Sequence, residues 1–115
     1  MYKIEKQIFP CATSIAMKFI GGKWKAVILI HLKDGAKRYN ELKKTIPTIT
    51  ERTLSLQLKQ LEDDQLIKRQ VFTDKAPLRV EYEMTKFGKT LLPLLNEIQK
   101  WGKTAIHKSN KVKVE

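Results

Sequence analysis

The residues in this sequence best suited to chemistry at a surface are Arg52, Ser55, Leu56 and Lys59, with Gln60 beside them. They lie in the stretch RYNELKKTIPTITERTLSLQLKQLE, Arg38 to Glu62. Leu54, Leu58 and Leu61 recur at i, i+4 and i+7, which is the apolar stripe of a helix. At 100° per residue, Arg52, Ser55, Leu56, Lys59 and Gln60 then occupy the opposite side, flanked by Thr53 and preceded by Thr50. This set matches the edges of nucleic-acid bases. A guanidinium donates two hydrogen bonds to guanine, a hydroxyl can donate or accept, and an exposed leucine fits a thymine methyl. A bidentate pair of that kind discriminates by about 1–3 kcal/mol.

A reading helix needs an element that holds it. Tyr39, Leu42 and Ile46 mark a preceding short helix, and Pro47 prevents that helix from running on comfortably through Ile46. Two short helices joined by a brief turn form a helix-turn-helix, whose second helix can enter the major groove. Ile49, between two threonines, is expected to anchor the turn in the core. Upstream, CATSIAMKFI reads as a helix ended by Gly21-Gly22, and KWKAVILIHLKDG as a mostly buried helix closed by Gly35. After Leu66 the period changes from helical to two. IKRQVFT and RVEYEM are expected to form a β-hairpin whose connection includes Asp74 and Pro77. Thr85 is expected to cap a last helix from Lys86 to Lys108, kinked at Pro93, with a frayed tail over 109–115. The fold class is mainly α with a small β-hairpin: a winged helix-turn-helix, in one domain spanning 1–115.

Charge points the same way. The chain has 115 residues, 23 Lys+Arg against 12 Asp+Glu, and a formal charge of +11. Such a balance suits a polyanion. Lys23, Lys25, Lys37, Arg38, Lys43, Lys44, Lys75 and Arg79 are candidates for phosphate contacts, which orient a protein without reading sequence. The plainer reading is a solvated face on a helical bundle. It gains some support because Arg52 and Lys59 are outnumbered on their helix by Glu51, Glu62, Asp63 and Asp64. Three of those four acids cluster at the far end, however, and the element order favours double-stranded DNA.

Other classes find little support. One cysteine, Cys11, excludes an intramolecular disulfide. No signal peptide and no stretch of about 20 apolar residues is visible, so a cytoplasmic protein without membrane association is expected. There is no nucleophile–base arrangement and no phosphate-cradling glycine loop, so no catalytic residues, no enzyme activity and no cofactor are expected. His31 and His107 lack metal-ligand spacing, and no metal is expected.

The segments GGKWKAVILIHL, RYNELKKTIPTITERTLSLQLKQLE, RVEYEMTKFG and Trp101-Gly102 together resemble the HxlR-type bacterial transcription regulators, which are winged-helix proteins related to the MarR group. The resemblance covers roughly residues 10 to 103. It implies a homodimer on an inverted-repeat operator, with Thr50, Arg52, Thr53, Ser55, Leu56 and Lys59 toward the bases and the Lys75–Arg79 wing along the backbone. It also implies a dimer interface built from the terminal helices. Leu91, Leu94, Leu95, Ile98, Trp101 and Ala105 make a wide apolar face that agrees with this. Two positions depart from the family. Gln65 stands where a glycine commonly ends the recognition helix, so either that cap is strained or the helix ends differently. Cys11 is preceded by Pro10 and followed by Ala12, whereas the family cysteine is often followed by proline.

Some members of that family sense oxidants or electrophiles through this cysteine. A cysteine at a helix N-terminus has its thiol pKa lowered by the helix dipole. The alternative is an inert, half-buried cysteine behaving as a small hydrophobe. On sequence alone both readings stand. So does a second functional class, a basic RNA- or nucleoid-binding module with little sequence preference. A third is a protein-docking module that uses the last helix.

Overall fold

A computed structural model of the chain describes residues 1–73 and 75–115. Its elements are β1 (Tyr2–Ile4), β2 (Gln7–Phe9), α1 (Ala12–Ile20), α2 (Lys25–His31), β3 (Lys37–Arg38), α3 (Tyr39–Thr45), α4 (Glu51–Asp63), β4 (Ile67–Val71), β5 (Val80–Met84), α5 (Lys86–Lys89) and α6 (Leu92–Lys108). A winged helix-turn-helix results: α3 and α4 form the helix pair, and β4 and β5 form the wing.

The core explains why the chain settles this way. Ile28, Leu29 and Leu32 from α2 and its end meet Leu42 and Ile46 of α3, Leu54, Leu58 and Leu61 of α4, and Leu95 of α6. Ile49 is 1% exposed and pins the α3–α4 turn into this cluster, as its position between two threonines suggests. Thr48, just before it, takes a left-handed φ of 70°, which turns the chain at the corner after Pro47. Ile46 is extended at φ −110°, ψ 93°, the region to which a following proline confines a residue.

The wing is one strand wider than the hairpin read from the sequence. Antiparallel β4 and β5 pair from Ile67↔Met84 to Val71↔Val80, and Lys37 and Arg38 add to the free edge of β5 opposite Tyr82 and Glu81. The sheet order is β3-β5-β4. Phe72 N–H donates to the Arg79 carbonyl at 2.8 Å, carrying the ladder past the last strand pair. Asp74, expected in the connecting turn, lies outside the described residues.

Two further features differ from the sequence reading. The N-terminal segment forms a small antiparallel hairpin, Tyr2↔Phe9 to Ile4↔Gln7, whose Phe9 is buried. The helix expected from Lys86 to Lys108 is two helices. Thr85 caps α5 by accepting from Gly88 N–H at 2.9 Å, and Pro93 falls in the first turn of α6, where a missing N–H costs nothing, so it starts a helix and does not kink one. The left-handed glycine after α1 is Gly22 at φ 94°, while Gly21 is extended.

Candidate nucleic-acid interface

The N-terminal half of α4 is built to be rigid. Leu54, Leu58 and Leu61 are at most 2% exposed, so the helix is seated along its whole length. Thr50 caps it, its Oγ1 accepting from Thr53 N–H at 3.1 Å. An oxygen acceptor at this position satisfies one of the otherwise unpaired first-turn donors and contributes about 1 kcal/mol. The Thr50 hydroxyl donates in turn to Thr53 Oγ1 at 3.0 Å.

With that side fixed, Arg52, Ser55, Leu56 and Lys59 all face solvent, and Leu56 is 53% exposed. Among the described residues no hydrogen bond or ion pair engages the Arg52 guanidinium. Lys59 differs: its ammonium lies 2.9 Å from Asp63, whose carboxylate holds the lysine pKa above its ordinary value. Thr53 and Gln60 are half-buried at the flanks.

A link invisible in the sequence ties α3 to this face. Tyr39 Oη donates to the Glu51 carbonyl at 3.0 Å, and the Ser55 hydroxyl donates to Tyr39 Oη at 3.2 Å. Tyr39 had read only as one apolar member of the α3 pattern. The available signal was its chemistry, since a half-buried tyrosine needs a partner for its hydroxyl where a phenylalanine would not.

The candidate phosphate contacts divide into groups. Lys37 and Arg38 are in the wing sheet, and the Arg38 backbone N–H donates to Glu41 Oε1 at 3.0 Å at the start of α3. Arg79, on the wing, lies over the Phe72 ring at 5.2 Å and is held by Glu81 at 3.0 Å. Lys75 is exposed in the wing connection, and Lys43 and Lys44 lie on α3. The structure does not bring Lys25 to the N-terminal half of α4. Lys23 lies over the Trp24 ring at 4.9 Å, and Lys25 lines a cleft of about 710 Å³ beside the C-terminal end of α4, with Gln60, Asp63 and Asp64. Lys18 of α1 and Asp64 form an ion pair at that same end, so Asp64, like Asp63 with Lys59, already has a partner within the chain. Reasoning from the sequence also missed Arg69, exposed on β4 opposite Tyr82.

Cys11 is exposed at the N-cap of α1. A hydrogen bond from the Ser14 backbone N–H and then the contact with the Ser14 hydroxyl lower its thiol pKa, and Thr13 adds a smaller contribution in the same direction. Ser14 Oγ also donates to the Cys11 carbonyl at 2.7 Å.

The apolar face expected for a dimer is partly used at home. Leu95 is 2% exposed within the chain's own core, and Leu91 packs against that core. Leu94, Ile98 and Trp101 remain exposed, and Ala105 is half-buried. His31 is accounted for locally: Nδ1 lies 2.9 Å from the Val27 carbonyl, which can only accept, so Nδ1 carries the hydrogen. Among the described residues no helix is long and apolar enough to cross a membrane.

The fold and this exposed helix define a winged helix-turn-helix transcriptional regulator. The family model for HxlR-like helix-turn-helix matches residues 19–110, and the chain belongs to that family. It is 40% identical over 104 residues to the uncharacterised HTH-type transcriptional regulator YybR of Bacillus subtilis, covering 87% of this chain and 82% of that one. Among solved structures it is similar to the redox regulator HypR in its oxidised form, at 41% identity and a TM-score of 0.77 over 82% of this chain and 96% of that one. It is similar too to the reduced form of the transcriptional regulator YodB of B. subtilis, at 31% identity and a TM-score of 0.70 over 91% of this chain and 100% of that one. These relatives are regulators and not enzymes, and the chain is a transcriptional regulator of the helix-turn-helix type.

Proposed function

We propose that this chain is a cytoplasmic, single-domain regulator that binds double-stranded DNA as a homodimer on an inverted-repeat operator. The observation that carries the proposal is the N-terminal half of α4. It is a capped, fully seated helix that presents Arg52, Ser55 and Leu56 outward, with Glu51 in the first turn as the one acid of that half. Arg52 reads a guanine, Leu56 meets a thymine methyl, and Thr50, Thr53 and Lys59 border the contact. Lys37, Arg38, Lys43, Lys75 and Arg79 take phosphates and set the register. Lys23 is a further phosphate contact, and Lys25, in the cleft at the C-terminal end of α4, gives a weaker, long-range attraction.

The test is in vitro selection of duplexes followed by anisotropy titration against random DNA, with wild type beside Arg52→Ala. The expected result is a palindrome bound at least ~10³-fold more tightly than random sequence. Arg52→Ala is expected to lose about 1–3 kcal/mol of discrimination at one position in each half-site. Equal binding to every duplex, unchanged in Arg52→Ala, would favour the RNA- or nucleoid-binding module. Binding insensitive to salt would exclude phosphate contacts altogether.

The second part of the proposal is a response to oxidants or electrophiles through Cys11. It is supported by the exposed thiol with its lowered pKa and by the likeness to a redox regulator. The thiolate is the reacting form, and a lowered pKa increases its share at neutral pH. Operator release on treatment with a quinone or hypochlorite is expected in wild type and absent in Cys11→Ser; release from both proteins alike would remove Cys11 from the mechanism.

A further inference from the structure

Hydroxyls in a recognition helix are usually ambiguous, because serine can both donate and accept. Ser55 is not ambiguous in this fold. The Glu51 carbonyl is an acceptor only, so the single hydrogen of Tyr39 Oη is spent on it at 3.0 Å. The phenol oxygen can then serve Ser55 only as an acceptor, and the Ser55 hydroxyl hydrogen is spent on Tyr39 at 3.2 Å. What Ser55 retains toward solvent is oxygen lone pairs. Thr50 is different: its hydrogen goes to Thr53 Oγ1 and one of its two lone pairs already accepts from Thr53 N–H, so most of its capacity is committed to the cap.

We infer that Ser55 reads its operator position as a hydrogen-bond acceptor, taking a hydrogen from the exocyclic amino group of adenine or cytosine, and that Tyr39 is the positioning residue that sets this polarity. The inference rests on the assignment of α4 as the reading helix. In the major groove the donors are adenine N6 and cytosine N4, whereas guanine N7 and O6, adenine N7 and thymine O4 accept. An acceptor-only Ser55 selects the amino groups and is repelled by the lone pairs. Arg52 has the opposite character, since a guanidinium can only donate. The two residues lie three apart on one helical face, so one turn of α4 offers adjacent positions a donor pair and an acceptor.

The chain of hydrogen bonds also explains why a polar group belongs at Tyr39. Phenylalanine could fill the same apolar space at the start of α3, but it would leave the Ser55 hydrogen uncommitted and able to turn toward a base acceptor. The linkage crosses from the first helix of the pair to the second, so the polarity of the contact is fixed before DNA arrives.

The experiment is an analogue scan across the half-site recovered by selection. Each adenine is replaced in turn by purine and each cytosine by 2-pyrimidinone, which removes the amino group, and each purine in turn by its 7-deaza form, which removes an acceptor. Wild type, Ser55→Ala, Tyr39→Phe and Arg52→Ala are titrated on every duplex, and helix content and thermal midpoint are recorded for each variant. Wild type is expected to lose about two- to tenfold in affinity when one particular amino group is removed. Ser55→Ala is expected to be indifferent to that removal. Tyr39→Phe is expected to lose most of the same sensitivity while keeping its affinity for random duplex. Coupling of Ser55 to a 7-deaza position, or to no position, would overturn the inference, as would a Tyr39→Phe profile identical to wild type. Arg52→Ala separates the levels of failure. If it erases preference elsewhere in the site while Ser55 couples to nothing, α4 still reads DNA and only this inference falls. If selection yields no motif, both fall together.

Discussion

Helices α4 and α6 are both amphipathic, yet they are finished to different degrees. In α4 the three leucines of the stripe are buried to within 2%, and the single exposed one, Leu56, sits isolated among polar residues. In α6 only Leu95 is buried, while Leu94 and Ile98 are each 41% exposed and Trp101 is 70% exposed. Leu94, Ile98 and Trp101 recur at i, i+4 and i+7, so they form a continuous strip and not scattered surface residues. A lone exposed leucine is ordinary, but an apolar strip containing a tryptophan needs a cover. One chain therefore completes α4 and leaves its last helix half-completed. The dimer proposed above would supply the missing half from a second copy.

The largest effect that could break this comparison is on the finished side. Leu58→Ala removes most of a side chain that is 2% exposed and leaves a cavity between α4 and the rest of the core. The expected cost is about 2–5 kcal/mol, a large share of the stability of a domain this size. Urea denaturation followed by circular dichroism measures it. A loss below about 1 kcal/mol would show that α4 is held more loosely than its burial indicates.

The second effect is on the unfinished side. Ile98→Asp places a charge in the middle of the exposed strip without touching the buried Leu95. It is expected to weaken self-association by about 2 kcal/mol or more, roughly thirtyfold, while the far-ultraviolet spectrum stays that of the folded chain. Sedimentation velocity over a range of concentrations reads this directly, with the variant approaching the 13.4 kDa of one chain. A linked change is expected in the wild type, whose thermal midpoint should rise with protein concentration, whereas that of Ile98→Asp should not. Identical sedimentation of the two proteins would mean that the strip is covered by something other than a second copy.

The contrast between the helices also marks what the amino-acid pattern could convey. The stripe Leu54-Leu58-Leu61, the Pro47 break and the change of period after Leu66 are local signals, and each corresponds to an element in the fold. Leu95 was grouped with Leu94 and Ile98 because a helical wheel shows an apolar face and not which neighbour it meets. Only the position of α2 shows that Leu95 is spent internally. The strand Lys37–Arg38 was illegible for a related reason. Two residues carry no periodicity, and they become a strand only because β5 offers its edge. The Tyr39–Ser55 link depends on a 16-residue separation closed by the turn, which no local rule supplies. Pro93 shows the remaining kind of ambiguity, since the same residue either kinks a helix or begins one.

The smallest effect sharpens the comparison at the far end of α4, where the finished helix carries one strained residue. Gln65 has φ 63°, the left-handed region that a side chain disfavours. The conformation is imposed from both sides: Leu66 N–H donates back to the Leu61 carbonyl at 3.0 Å, closing the helix, and Thr85 Oγ1 donates to the Gln65 carbonyl at 2.6 Å. The next residue is equally confined, because Gly88 of α5 packs so closely on the Leu66 carbonyl that a Cβ there would lie only 2.0 Å from the oxygen. Gln65 therefore cannot relax by moving the backbone. Gln65→Gly relieves about 1–2 kcal/mol of left-handed strain and costs about 0.5–1 kcal/mol in added freedom of the unfolded chain. Relief wins, and a net stabilisation of about 0.5–1 kcal/mol is expected, read as a higher urea midpoint with an unchanged slope. The Gln65 side chain is exposed, so little packing is lost to offset the gain. A midpoint that falls would mean that the glutamine side chain contributes more in the cleft beside Asp64 than the strain removes, and that this end of α4 is stabilised through the cleft and not only through the core.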